Sequence, residues 1–590
     1  MKNVLLLLAV TYICPLSLQA KEEWKPVNTI QFKLDHTSDE QKGLAVTENG
    51  EIFLTGNAKE LTVLNNSNQS TSVFNTVNSQ NRAGILAKLD KEGNLIWSNL
   101  VAGNEGNNKN SQITCIKVMG NYVYVVGGVA SNTKGESEVS VFGQTLMSAG
   151  YMDLYVAKID KESGQTIWAK TFGNTRDWEM FISLAVDKKG NIYTSCIVGN
   201  IMSDPLMASP TIPLAATGNW GEDYGIFKFD SDGNVVWARV VGSKGRETDA
   251  SPAGLAIDND ENLIFVGTSN DKGEDLSVKT EHQEYVVGDF TYRLYPDKSR
   301  DALLAKINAT DGGIIWSRFL TGAGNQTLKK VDVLPDGKIV AVGTADSNIS
   351  IQGSNGFAEQ TVENSSPATF LAQFGVDGQF EWSKLVSGEH VAKEIMCDRK
   401  EGILLVGQFT SSVDFGNGIN LAATEGNTKE GFIAQYNYQG QAVWAKKITS
   451  TKQSSLYHID ILGDNLVVSG FISADATLPK FQKEDTYTIG GANYKWFASV
   501  YERNNTHTNI EDIHTTAESA SVHLTGRSLT LNSSIPCKLE IFTPQGVKVL
   551  ERALFNREEV NLAGLPTGIF LVNVRDLSGN TIAANKIILQ

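Results

Sequence analysis

The chain has 590 residues, with 51 Lys+Arg against 66 Asp+Glu and a formal net charge of −15. That balance argues against nucleic-acid binding, which calls for a basic footprint, and the length exceeds an ordinary single domain unless the chain is built from repeats.

Residues 1–20 carry Lys2, an apolar core from Val4 to Ile13 and Ala20 before a charged Lys-Glu-Glu start. This reads as a secretory signal peptide, too short and wrongly flanked for a membrane anchor. No other apolar stretch is long enough to span a bilayer, so no transmembrane segment is expected. Four cysteines follow it, Cys115, Cys196, Cys397 and Cys537. They lack metal or framework spacing and read as buried thiols behaving as small hydrophobes.

From there a unit recurs. Its first half is Gly43-Leu-Ala-Val-Thr-Glu-Asn-Gly50-Glu-Ile-Phe-Leu-Thr-Gly56, an apolar run, a polar turn and a second apolar run. It returns from Leu184 and from Gly254. The second half, Ile85-Leu-Ala-Lys88-Leu-Asp90-Lys-Glu-Gly93-Asn-Leu-Ile-Trp97, places a tryptophan four residues after a turn glycine. Trp97, Trp168, Trp237, Trp316, Trp382 and Trp444 repeat that context at intervals of 62 to 79 residues. Each half carries the hairpin signal of β-branched and aromatic runs around an Asp/Asn/Gly turn. Two hairpins per unit predict a β-propeller of four-stranded blades. A seventh unit begins at Tyr457 and reaches Trp496-Phe-Ala498 without its own Gly-x-x-x-Trp. Its missing strand is expected from the Trp24 segment, so the sequence predicts an all-β, seven-bladed propeller over 21–503, with Trp24 as a seventh repeat tryptophan and the ring closed by both ends.

After a polar linker at 504–517, short alternating runs return, including Leu529-Thr-Leu, Lys538-Leu-Glu-Ile-Phe, Val547-Lys-Val-Leu and Lys586-Ile-Ile-Leu. Seven such runs predict a small antiparallel, Ig-like β-sandwich at 518–590.

Two resemblances are carried by these residues. Leu-Ala-Val-Asp-x-x-Gly-Asn-x-Tyr, then Ala-Lys followed by Gly-x-x-x-Trp, together with Val141-Phe-Gly143 and Asp414-Phe-Gly416, resembles the bacterial SBBP β-propeller repeats over residues 24 to 502. It implies a surface or secreted module and leaves the ligand unspecified. Gly546 in a Pro-x-Gly turn, Pro566, Gly568 and Lys586 near the end resemble the type A C-terminal sorting domain of the type IX secretion system. That implies a Bacteroidetes-type protein, exported to the extracellular space or outer-membrane surface, with the secretion machinery as a partner of this tail.

Chemistry-bearing motifs are sparse. Asp230-Ser-Asp232-Gly233 and Asp258-Asn-Asp260 lack the remaining ligands of an EF-hand loop and read as tight turns, with no metal. Glu162-Ser-Gly164-Gln-Thr-Ile-Trp168 resembles a quinoprotein-dehydrogenase hairpin, but the vicinal cysteine pair of those sites is absent, and no cofactor is expected. The seven histidines show no zinc spacing, and no catalytic residue is assigned. The positive signal is in the long connections. Within blades they span 57–82, 199–223, 269–300 and 410–429; between blades they carry Arg176, Asp177, Trp178, Glu179, Arg246, Glu247 and Asp249. Long connections on one face are where recognition is built. These seven residues are the expected site for a glycan or a surface protein. The alternative expectation is a polysaccharide hydrolase or lyase using carboxylates in the propeller mouth.

Overall fold

The computed structural model describes residues 24–589 except 35–40, 59, 65–69, 76–81, 103–110, 132–134, 175–180, 200–204, 210–211, 215–221, 242–252, 270–283, 294–298, 354–355, 389, 427–428, 451, 474–475, 479–486, 490–495, 504–519, 526, 544–546 and 577–580. The segments expected to be a signal peptide and a linker lie outside the described residues. Two units are resolved by contact, residues 1–503 and 504–590.

The first is the predicted propeller. Blade 1 is formed by Gln41–Val46, Ile52–Ala58, Ala83–Leu89 and Leu95–Ala102, each antiparallel to the next. The same four-strand order recurs in blades 2 to 6, whose innermost strands are Gln112–Met119, Phe181–Val186, Gly254–Ile257, Gln326–Val333 and His390–Asp398. Blade 7 has three strands from the end of the unit, Ser454–Leu462, Asn465–Ile472 and Trp496–Arg503, and its fourth is Trp24–Leu34. Pairings from Trp24↔Arg503 to Phe32↔Trp496 zip the two ends together, which removes the free sheet edges an open ring would leave. Apolar strand faces drive the stacking. A single cluster unites Ile30, Phe32 and Trp496 of blade 7 with Leu44, Leu54 and Ile85 of blade 1.

The register corrects one expectation. In blade 1 Trp97 opposes Lys88, with a bulge before it; in blade 6 Trp444 opposes Gln435 in the same way. The corresponding bulge in blade 7 leaves Asn28 opposite Val500. Asn28, not Trp24, stands at the tryptophan position, and Trp24 lies four residues before it, where the other blades turn. A closing strand supplied by a chain terminus has no hairpin turn to follow, and so no need of the glycine–tryptophan pair.

The long connections within blades are a second departure. Each contains a small hairpin: Glu60–Leu64 with Ser70–Asn75, Ser137–Val141 with Gln144–Ser148, Leu206–Ser209 with Ile212–Leu214, Glu284–Val287 with Phe290–Arg293, Ile349–Gln352 with Ala358–Val362, Ser412–Asp414 with Asn420–Ala422 and Ala476–Leu478 with Tyr487–Ile489. Several dock on the outermost strand of the preceding blade. Val141 pairs Val101, Leu320 pairs Ile351, Gln31 pairs Leu64, Ser387 bridges Asp414 and Ser450 pairs Ala476. The hairpins cover outer strand edges, another defence against edge-to-edge association. The Phe-Gly motifs are their anchors. Phe142 is buried edge-on against Tyr155, and Phe415 edge-on against Phe432.

In the second unit the seven predicted runs merge into five strands, because Ser528–Phe542 and Lys548–Asn561 are each long enough to carry two. The register break between Ser533 and Cys537 divides the first of these: its early half pairs Ala520–Thr525 and its late half Gly568–Asp576. The five strands form one hydrogen-bonded sheet, around a core with Leu529, Leu539, Ile541, Val572 and Ile587. Gly546 lies outside the described residues; Pro566 is exposed, Gly568 opens the strand Gly568–Asp576, and Lys586 pairs opposite Leu571.

Candidate functional site: the central channel

The repeated tryptophans are structural. Their indole N–H groups donate to a carbonyl in the turn of the following blade: Trp97 to Lys161, Trp168 to Ser231, Trp237 to Ala309, Trp316 to Val376 and Trp382 to Tyr438, at 3.0 to 3.3 Å. The following blade's turn glycine lies flat on the ring. A Cβ on Gly164, Gly233, Gly312, Gly378 or Gly440 would fall within 2.9 Å of the preceding tryptophan, and each glycine has a positive φ. Gly-x-x-x-Trp is therefore a latch whose tryptophan grips the glycine one repeat later. Lys158 and Lys228 reinforce it by donating to the carbonyls of Ser231 and Ala309.

The site residues expected from the loops, Arg176, Asp177, Trp178, Glu179, Arg246, Glu247 and Asp249, all lie outside the described residues. The described part of the ring instead displays a central channel lined by all seven innermost strands, with a water-accessible volume of about 190 Å³. That is below the roughly 300–1,000 Å³ of pockets that engulf a drug-sized ligand.

Strand register sorts the lining into rows. The first holds Gly43, Cys115, Ser183, Gly254, Lys330, Glu394 and His458, each opposite the equivalent residue of its neighbouring strand. Next comes an apolar row, Leu44, Ile116, Leu184, Leu255, Val331, Ile395 and Ile459. The third contains Ala45, Lys117, Asp332, Met396 and Asp460. Glycine at blades 1 and 4 answers a close approach between inner strands. A Cβ on Gly43 would sit 2.7 Å from Ile116 Cγ2, and one on Gly254 3.0 Å from the Lys330 backbone.

Three ionisable groups meet in the first row. Lys330 Nζ lies 2.7 Å from Glu394 Oε1, and His458 Nδ1 3.3 Å from Glu394 Oε2, bridging blades 5, 6 and 7. Burial pushes the Glu394 carboxyl up, but Lys330 and His458 outweigh it and hold it below the usual carboxylate range. Burial lowers the Lys330 ammonium, and Glu394 more than restores it. In the third row each aspartate clamps the next blade. Asp332 accepts from Cys397 N–H at 2.7 Å, and Asp460 from Val46 N–H at 2.9 Å. Burial raises both carboxyls, against those N–H bonds and the charge of Lys117.

A bulge precedes the first row in six innermost strands, at Lys42, Thr114, Ile182, Lys329, Lys393 and Tyr457. Thr114 and Ile182 line the channel at its long-connection end. The same position in blades 5 and 6 holds Lys329 and Lys393, and the Lys393 Nζ lies 5.4 Å from the Tyr457 ring centre. Burial lowers the Lys329 ammonium, and the charges of Lys393 and Arg300 lower it further.

None of these channel groups stands out in the linear sequence, because each blade gives one residue per row and successive contributors are 64 to 76 residues apart. The only legible signal is the column obtained by aligning the innermost strands of the repeat. Among the described residues no cluster of His, Cys, Asp and Glu forms a metal site, and Cys115, Cys196, Cys397 and Cys537 are in no disulfide.

No protein-family description matches the chain and no curated protein sequence is significantly similar. Similar solved structures include the quinohemoprotein alcohol dehydrogenase ADHIIG from Pseudomonas putida HK5, at 11% identity, 81% of this chain, 76% of that chain and TM-score 0.36. A protein of unknown function from Dyadobacter fermentans DSM 18053 covers 82% and 100% at 9% identity and TM-score 0.34. The Dos1 propeller covers 80% and 92% at 9% identity and TM-score 0.32. The chain is a β-propeller by its own sheet topology.

Proposed function

We propose that the chain is an exported binding module, displayed at the cell surface or secreted, which holds a glycan or a surface protein on the face of the long connections. The observation that carries this reading is how the channel carboxylates are used. Glu394 is taken up by Lys330 and His458, while Asp332 and Asp460 hold backbone N–H groups of the next blade. Glycoside cleavage calls for an acid and a base left free to face a sugar, about 5–10 Å apart. Recognition asks only for a rigid platform, and a closed ring of seven blades, six of them latched, provides one. Arg176, Asp177, Trp178, Glu179, Arg246, Glu247 and Asp249 are the proposed contact residues, and the SBBP-like repeats and sorting-like tail fit an exported Bacteroidetes-type protein delivered by type IX secretion.

The second reading, a polysaccharide hydrolase or lyase, draws on one observation: burial raises Asp332 and Asp460, the direction a general acid requires. A glycan array and a surface-protein pull-down, run beside a polysaccharide-cleavage screen, separate the two. Binding without cleavage, lost in W178A/R246A at unchanged melting temperature, is the expected result. Turnover abolished by D332N or D460N would replace the binding reading with the enzyme.

A further inference from the structure

The channel has an electrostatic direction. Its turn-side end is acidic, with Asp332 and Asp460 around Lys117. At the opposite end, Lys329 and Lys393 occupy the same bulge position on adjacent blades, whose innermost strands pack side by side. Lys393 leans over Tyr457, which holds the bulge position of the next blade. Lys329 is partly buried, and the charges that act on it among the described residues are those of Lys393 and Arg300. Glu394, the carboxylate of the adjoining row, is already committed to Lys330 and His458. Two neighbouring ammonium groups, one of them partly desolvated and without a carboxylate beside it among the described residues, repel each other, and an anion between them relieves that cost. In a chain of net charge −15 this is a local reversal of sign.

We propose that the long-connection mouth of the channel, between blades 5 and 6, is an oxyanion site in which Lys329 and Lys393 bind the carboxylate, sulfate or phosphate group of a small ligand, with Tyr457 forming one wall. This deepens the binding reading above and rests on it, by naming an acidic unit as the part of the ligand that the channel receives. The small channel volume fits a single acidic group and excludes a polysaccharide chain threaded through the ring. An ammonium pair also binds oxyanions as point charges, so sulfate, phosphate and carboxylate are recognised by charge and size before shape.

Isothermal titration of the full chain with sodium glucuronate, sodium sulfate and sodium phosphate, at ionic strength held constant with sodium chloride, tests it. The expected result is saturable binding of one anion per chain. K329M and K393M each weaken it at least tenfold, while K188M, an exposed lysine in a turn on the opposite face, leaves it unchanged. Glucuronate binding alone identifies an acidic sugar as the source; equal binding of sulfate and phosphate identifies a free anion. K329Q, which keeps a polar side chain, guards against a folding defect and should weaken binding as K329M does at an unshifted melting temperature. Absence of saturable binding, or equal losses in K188M, overturns the proposal. Glycan binding lost in W178A/R246A but untouched by K329M and K393M removes the channel site and leaves the binding reading standing.

Discussion

Asp153 shows how far one buried side chain couples this fold to pH. It stands at the start of the third strand of blade 2 and accepts from Ala149 N–H and Gly150 N–H at 2.5 and 3.2 Å. Burial raises its carboxyl from 3.8 to about 6, against the lowering effect of these bonds. The folded state therefore holds the proton more tightly than the unfolded chain. Its stabilising contribution is complete below about pH 4 and is lost as pH rises through about 6. A shift of some two units corresponds to at most about 3 kcal/mol. Urea denaturation between pH 4 and 7 should show wild-type stability falling across that window relative to D153N, which lacks the titration; parallel curves would show that Asp153 is not the group responsible. The sequence shows an aspartate at this place in the repeat, but not that Gly173 and the hairpin of blade 2 close over it. A Cβ on Gly173 would sit 2.2 Å from the Asp153 carboxylate.

Between blades, the glycine–tryptophan latch is the element that repeats. Trp237 is 3% exposed, donates to Ala309 O at 3.0 Å and lies under Gly312. W237F should cost about 1 kcal/mol for the lost hydrogen bond, and W237A about 3–5 kcal/mol with the cavity. G312A combines two penalties, a left-handed backbone at φ 75° and a clash with the ring. G120A supplies the comparison, since Gly120 has φ 58° and nothing within 4 Å of its Cβ. Denaturation midpoints should place G120A at the roughly 1–2 kcal/mol backbone cost alone and G312A clearly beyond it; equal losses would show that the ring contact contributes nothing. The spacing of the motif was legible because turn glycines and tryptophans recur at a fixed offset. The identity of the partner was not, because the tryptophan reaches its glycine one repeat away. The hairpins within the long connections leave little trace in the sequence for a related reason. Strands of three to six residues with mixed faces carry little periodicity, and what holds several of them is pairing to the previous blade.

At the scale of the whole ring, the latch is missing at the two junctions of blade 7, and other groups take over there. Blade 7 has no glycine turn of its own, and its last residue before the second unit, Arg503, is buried in an ion pair with Asp398 of blade 6. Lys400 meets Asp464 across the same junction, and Asn465 donates to Glu48 O at 2.7 Å on the other side, into blade 1. Removing one partner of a buried ion pair leaves the other charge stranded, so R503A should lose about 3–5 kcal/mol, whereas D398L/R503M should lose less than either single change. Denaturation midpoints read both effects, and a double variant as weak as R503A would contradict this account of the seam. The sequence by itself determined the seven units, the all-β class and the supply of the last strand from the N-terminal segment, because hairpin turns and alternating apolar runs are local properties. Only the tertiary structure decided that Asn28 occupies the tryptophan position, that the long connections fold back as edge-covering hairpins, and that Lys330, Glu394 and His458 meet at one channel. Each of those facts depends on which residues lie opposite one another across strands or blades, and ring closure brings together positions that the chain keeps tens to hundreds of residues apart.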